Sequence, residues 1–225
     1  MIIIKFFSIY HDIVNVQKSK STSIIIVSWV LMLGISFGAL WWYKTRPGRE
    51  RILLSTFPQD ATILLAAAPD YTLILFVHPK CECSVASVYE FNELLSTSRK
   101  NVKAVIVFYR PDGSSESWAH TNLWETAKEN KLINVIEDEG GRMAYKFGAL
   151  TSGQTYLYDF SGKLVFSGGI TETRGHIGNN EGRRSIAAIL DKTQTLGNRS
   201  KVFGCAILSS NEIKKLTREI KNASN

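Results

Sequence analysis

Hydrophobic and polar positions along this chain follow three successive patterns. Residues 24–43 run for twenty positions without a charge. At about 1.5 Å of rise per residue, a helix of that length matches a bilayer core of about 30 Å, so the run predicts one membrane-spanning helix. Beyond it, short continuous apolar runs alternate with stretches of helical period. The runs predict strands over 71–77, 102–109 and 132–136, and the periodic stretches predict helices over about 84–98 and 115–129 and a helical turn over 141–147. In the first helix Val85, Val88, Tyr89, Phe91, Leu94 and Leu95 form the expected buried face. The third pattern is two apolar runs within 155–167 joined by Asp159-Phe-Ser-Gly162, which predicts a hairpin with glycine where positive φ is needed. A polar loop over 170–180 and a helix over about 182–194 follow.

These elements divide the chain into a tail (1–23), the apolar span (24–43), a linker (44–56) and one α/β domain (57–225), within which the apolar stretch 61–68 reads as a helix or a first strand. Trp41, Trp42 and Tyr43, followed by Lys44 and Arg46, resemble an interfacial aromatic belt with snorkelling cations. Bulky aromatics stand where a cleaved signal would carry small residues, so the span is read as an uncleaved anchor. Gly34 and Gly38 form a GxxxG that would let two such spans pair.

The chain carries a formal charge of +7 and a pI near 9.3. Its basic residues are interleaved with acidic ones and form no basic stripe or aromatic stacking motif, which argues against nucleic acid and for a basic surface beside an anionic membrane. Three cysteines in 225 residues do not make a disulfide scaffold.

Two of the three, Cys81 and Cys83, stand where the strand 71–77 ends and a helix opens. An α/β sheet presents its chemistry at the carboxyl ends of its strands, and the amides and dipole of a helix N-terminus favour thiolates over thiols. An isolated cysteine is most often an inert apolar residue; two sulfurs two residues apart beside Glu82 and Ser84 have no packing reason. His176 is a general base, a metal ligand or a solvated loop residue. His78 caps the strand or joins the site. His120, between Trp118 and Trp124, reads as surface or core. Cys205 is either a resolving thiol or third ligand, if its segment folds back, or a buried apolar residue.

The order strand, helix, strand, helix, antiparallel hairpin, helix is that of thioredoxin, a three-layer α/β sandwich about a mixed sheet. In a sheet of thioredoxin order the second hairpin strand would run back toward the thiols, which would bring Gly168, Gly169, Arg174 and His176 to their border. The glycines would admit a substrate backbone, and Arg174, like Lys80, would favour a thiolate by its charge. Leu73-Ile-Leu-Phe-Val-His-Pro-Lys-Cys81 resembles the thioredoxin strand that ends in the nucleophilic cysteine, with Ser84 at the place of the resolving one. More narrowly, His78-Pro-Lys-Cys-Glu-Cys-Ser84, Thr151-Ser-Gly153, Phe166-Ser-Gly-Gly-Ile-Thr171, Arg174-Gly-His176 and Phe203-Gly-Cys205 together resemble the RedB-type membrane-anchored thioredoxin-like proteins of bacteria. The resemblance implies a thiol–disulfide oxidoreductase in the bacterial inner membrane. It would be single-pass, with a periplasmic or otherwise extracytoplasmic domain, no cofactor, and protein thiols or disulfides as partners. Cys81, Cys83, Cys205 and His176 would be catalytic, and Pro79, Gln154, Gly168, Gly169 and Arg174 would bind substrate. Departures from thioredoxin open a second reading. The Cys-x-Cys pair would close a strained ring, Leu75 replaces the buried acid, and Gln154 replaces the cis-proline, where a trans bond is expected. Those changes leave room for copper or zinc held by Cys81, Cys83 and His176 or Cys205.

Overall fold

The computed structural model describes residues 2–49, 51, 56–57, 69–98, 101–193 and 197–223. The chain falls into two units, Met1–Lys44 and Thr45–Asn225. The first is built on one helix, α1 (Ile2–Thr45). Within α1, Lys20–Thr45 is long and apolar enough to cross a membrane, and its large apolar side chains, from Ile24 to Tyr43, face outward. Both glycines of the GxxxG are open, with nothing near the place a Cβ would take.

The second unit is a five-stranded mixed sheet in the order β3-β2-β1-β4-β5, with β1 (Tyr71–Val77) at its centre. β2 (Val102–Arg110) lies parallel to β1, and β3 (Ile133–Glu139) parallel to β2. On the other side β4 (Gln154–Asp159) and β5 (Leu164–Gly168) form the antiparallel hairpin. Gly162 turns that hairpin at φ 77°, and the Asp159 side chain accepts from the backbone of Ser161 and Lys163.

The central strands are continuous apolar runs because both faces of the sheet are covered. Leu73, Leu75, Phe108, Leu157 and Phe166 pack under α2 (Cys83–Thr97), α3 (Asn122–Glu129) and α5 (Glu181–Leu190). Ile74, Phe76, Val107, Tyr156 and Tyr158 pack under α4 (Arg142–Phe147) and α6 (Ser210–Ala223). Helices, sheet and helices make three layers, the α/β sandwich that the order of elements predicts. The stretch 61–68 lies outside the described residues.

Four sequence expectations change. The buried face of α2 is rotated. Val85 and Tyr89 are 52% and 46% exposed, while Ser84, Ser87 and Glu90 are buried beside Val88, Phe91, Leu94 and Leu95. Positions 84, 87, 88, 91, 94 and 95 follow i, i+3, i+4, i+7, and polar partners hold Ser84 and Glu90. The helix expected over 115–129 is a 3-10 turn, Glu116–Trp118, and then α3. Thr121 separates them in an extended conformation (φ −89°, ψ 175°), and its hydroxyl donates to the Pro79 carbonyl at 3.3 Å. The helix after the hairpin ends at Leu190. After it comes α6, which periodicity did not assign; Ile213 and Leu216 turn toward the core.

Candidate functional site

The site is assembled where β1 runs into α2. Backbone turns fix the thiols: the Cys81 amide donates to the His78 carbonyl at 3.1 Å and the Ser84 amide to the Cys81 carbonyl at 2.9 Å. Cys81 thus lies just ahead of the first turn of α2, and Cys83 is its first residue.

Opposite them, the connection from α4 to β4 is stitched to β1. The Gly153 amide donates to the Phe76 carbonyl at 2.8 Å, and the His78 amide donates to Ser152 Oγ at 2.8 Å. Ser152 Oγ lies 2.6 Å from Ser84 Oγ. Ser84 and Ser152 are each 1% exposed, so a buried hydroxyl pair ties the two sides of the site together beneath the thiols. Position 84 thus carries polar scaffolding where thioredoxin has its second sulfur. Composition gave no signal for this pair beyond the motif Thr151-Ser-Gly153.

Cys205 comes from a segment that crosses this region after α5. The Ser152 amide donates to the Cys205 carbonyl at 2.8 Å and the Ile207 amide to the Leu150 carbonyl at 2.9 Å, and Thr151 and Ala206 form an antiparallel bridge. The segment therefore adds itself in extended form along residues 150–152. Its cysteine is delivered to the site: Cys205 Sγ lies 2.8 Å from Cys81 Sγ, within 1 Å of the roughly 2.05 Å of a disulfide bond. All three thiol sulfurs lie within 4.8 Å of one another.

The electrostatics single out Cys81. Its thiol is pulled down to about 5. The Cys205 S–H donates to it most effectively, burial opposes the ionisation, and the Cys205 amide, the Ser84 hydroxyl and the Cys83 amide add their hydrogen bonds. The other two thiols go the opposite way. Cys205 is raised because its proton is held in the bond to Cys81, and burial and the neighbouring sulfur charges add to this. Cys83 is raised by burial and by the Cys81 charge. At neutral pH the cluster holds one thiolate and two thiols.

Arg174 stands where the loop after β5 predicts it. Its guanidinium donates to the Gly204 carbonyl, and its charge favours ionisation of Cys83 and Cys205. His78 adjoins the site too. Its Nδ1 accepts from the Lys80 amide at 3.2 Å, which leaves Nε2 protonated in the neutral ring, and burial keeps the imidazole below its ordinary range against the Cys81 charge. The ring lies 5.7 Å from Tyr109 and 5.5 Å from Trp118. The Lys80 Nζ lies 4.3 Å from the Trp118 ring.

Other expected site residues are placed differently. Gly168 and Gly169 are buried, and the backbone that approaches them is the chain's own. A Cβ on Gly168 would collide with Ser200, and one on Gly169 with Lys201 and Val202. His176 is exposed and belongs to no group of metal-ligating side chains with the thiols; the third sulfur takes that place. Gln154 opens β4 through a trans peptide, fully buried, with Nε2 donating to Ser167 Oγ at 3.2 Å. Leu75 is buried in the core beneath α2. Pro79 and Cys81 line an open groove of about 540 Å³ with Glu82, Val85, Thr121 and Leu123. His120 lies apart, 2.7 Å from Glu137 and stacked on Trp124 at 4.4 Å.

No family model matches the chain, and no curated protein does. Among solved structures it is similar to an uncharacterized conserved protein from Geobacillus kaustophilus, at 17% identity over 74% of this chain and 93% of that one, with a TM-score of 0.48. A hypothetical protein from Sinorhizobium meliloti 1021 is similar at 16% identity over 72% and 93%, TM-score 0.48. The pneumococcal exposed lipoprotein thioredoxin from Streptococcus pneumoniae is similar at 18% identity over 57% and 89%, TM-score 0.41. The central strand leading into thiols at a helix start, flanked by a parallel strand and an antiparallel hairpin, makes the fold of the second unit thioredoxin-like.

Proposed function

We propose that the chain is a thiol–disulfide oxidoreductase of the RedB-type, held in a bacterial inner membrane by α1, with its domain outside the cytoplasm and protein thiols or disulfides as partners. The observation that carries the reading is the Cys81–Cys205 contact at 2.8 Å, with the charge on Cys81 and the proton on Cys205. One sulfur is prepared to attack and the other to resolve.

In the reductive direction the Cys81 thiolate attacks one sulfur of a partner disulfide, making a mixed disulfide and releasing the other partner sulfur as thiolate. Cys205 passes its proton to that leaving thiolate and attacks Cys81 Sγ. The partner's second thiolate leaves, and the Cys81–Cys205 disulfide retains the oxidation of the partner. The oxidative direction is the reverse. Cys83 lies close enough to exchange with either sulfur, but closing a ring with Cys81 would strain it, so Cys205 is the resolving partner in this reading. A thiolate stabilised by four donors favours the reduced form and so makes the disulfide the more oxidising.

The full-length protein in detergent micelles tests this. Oxidation should remove two hydrogens reversibly, peptide mapping should join Cys81 to Cys205, and Cys81→Ser should abolish reduction of a protein disulfide. A disulfide that leaves out Cys81, or unchanged activity in Cys81→Ser, would sink the proposal.

The sulfur cluster supports a second reading, a soft metal ion such as copper(I) or zinc held by three thiolates. Metal–sulfur bonds of about 2.3 Å about one ion put sulfurs about 4 Å apart. The group fits once Cys205 draws back by about 1 Å from Cys81. Titration with copper(I) or zinc under anaerobic conditions separates the readings: one equivalent bound, and lost in Cys83→Ser, would favour metal.

A further inference from the structure

Cys81 is the prepared nucleophile, yet it is 3% exposed. On one side it borders the groove lined by Pro79 and Glu82, and on another Cys205 Sγ lies 2.8 Å from its sulfur. The segment 203–206 lies along residues 150–152 with the pairing a visiting strand would use: the Ser152 amide to the Cys205 carbonyl, and Thr151 bridged to Ala206. Its Gly204 runs so close to Ser152 that a Cβ would collide with the carbonyl there, and the Arg174 guanidinium holds the Gly204 carbonyl. The segment is fastened on both sides of this stretch. Val202 accepts from the Gly48 amide at 2.8 Å, the Ile207 amide donates to Leu150 at 2.9 Å, and Val202 and Ile207 are 2% and 3% exposed. Cys205, midway between these fastenings, is half-buried and Ala206 is exposed.

Resting on the oxidoreductase reading, we propose that residues 203–206 occupy the docking edge of a cysteine-bearing polypeptide partner, so that this strap and the partner exclude one another. The partner enters as an extended segment with a small residue before its cysteine. It takes the Ser152 amide from Cys205 and sets one sulfur of its disulfide against Cys81; the Cys81 thiolate attacks that sulfur, the partner's S–S bond breaks, and its other sulfur leaves as a thiolate that takes the Cys205 proton. Because the resolving thiol sits on the strap the partner displaces, resolution and release are one motion. As the strap returns, Cys205 attacks Cys81 Sγ, the Cys81–partner bond breaks, the partner thiolate leaves with its electron pair, and its pairing to Ser152 is taken back. The chain's own Phe203-Gly-Cys-Ala206 thus shows the chemistry of the segment that fits.

The test uses full-length protein in detergent micelles lacking the resolving thiol, as Cys205→Ser and as Cys205→Ser combined with Gly204→Val, which drives the strap off Ser152. The probe is a peptide of residues 201–208 of this chain, its cysteine activated as a disulfide with 5-thio-2-nitrobenzoate, whose release reports formation of the Cys81 adduct. The disulfide of 2-mercaptoethanol serves as a small probe beside it. The strap-free variant should capture the peptide at least tenfold faster than Cys205→Ser, while the small disulfide gains much less. Hydrogen exchange of the Cys205→Ser adduct gives a second readout that needs no bulky substitution: residues 202–208 should exchange faster after capture while 149–153 stay protected. Equal peptide rates with unchanged exchange over 202–208 would overturn the strap and leave the redox reading intact. Absence of any Cys81 adduct, even with the small disulfide, would overturn both.

Discussion

The chemistry of this chain is concentrated on one sulfur and the groups that stabilise its charge. Cys81 ionises at about 5 because Cys205, the Cys205 and Cys83 amides and the Ser84 hydroxyl all donate to it, enough to outweigh burial. Alkylation of the reduced protein by iodoacetamide should therefore be half-maximal near pH 5, where an ordinary cysteine waits until about 8.5. A depressed acid group stabilises the fold fully above its unfolded pKa and loses that contribution as pH falls. The reduced domain should thus lose stability from about pH 8.5 down to about 5, while the Cys81–Cys205 disulfide form should not, as denaturant melts of the two forms at pH 4.5, 6.5 and 8.5 will show. Cys205→Ala removes the largest donor and should move the alkylation midpoint upward by more than Ser84→Ala does. Equal effects of the two substitutions would mean that the contact at 2.8 Å does not govern the charge.

At the scale of elements, the strands announced themselves and the helix faces did not. β1 is an uninterrupted apolar run because helices cover both sides of the sheet, so its limits at Tyr71 and Val77 could be read directly. Periodicity assigns α2 the wrong face because it cannot tell which of two overlapping stripes faces inward when a buried stripe carries serine and glutamate. Ser84 is buried by its pair with Ser152, and Glu90 by an ion pair with Arg183 at 2.8 Å and a bond from the Gly178 amide. Those partners lie 68, 93 and 88 residues away in sequence, beyond any local pattern. The route of Cys205 was illegible for the same reason, since backbone bonds to 150–152 fix it rather than its own residue types. The stability of α2 therefore tests the corrected face. Phe91→Ala, at a fully buried position, should cost about 3–5 kcal/mol of unfolding free energy. Val85→Ala, at a position 52% exposed, should change it by about 0.5 kcal/mol or less in denaturant melts. Comparable losses at both positions would restore the face that periodicity predicts.

For the whole molecule, the proposal that α1 anchors the chain in a membrane also commits the thiols to one side of it. Lys5, Lys18 and Lys20 precede the apolar run, while Lys44, Arg46, Arg49 and Arg51 follow it, so the charge balance by itself would keep the second unit in the cytoplasm. A unit as large as Thr45–Asn225 is translocated largely regardless of flanking charge, which leaves the chemistry to decide. A Cys81–Cys205 disulfide is useful to an oxidoreductase only where it is formed and persists, which favours an oxidising compartment over a thiol-reducing cytosol. Two measurements on one set of bacterial cells test the argument. Protease added to spheroplasts should remove the domain and leave a fragment protected by the membrane. Acid trapping followed by alkylation should find Cys81 and Cys205 at least partly oxidised in wild-type cells, and fully reduced once the cells' extracytoplasmic oxidation system is disabled. A protease-resistant domain with both thiols reduced in either background would place it in the cytoplasm. The flanking charges would then have set the orientation, and the thiolate would be exchanging with the cytosolic reducing pool instead.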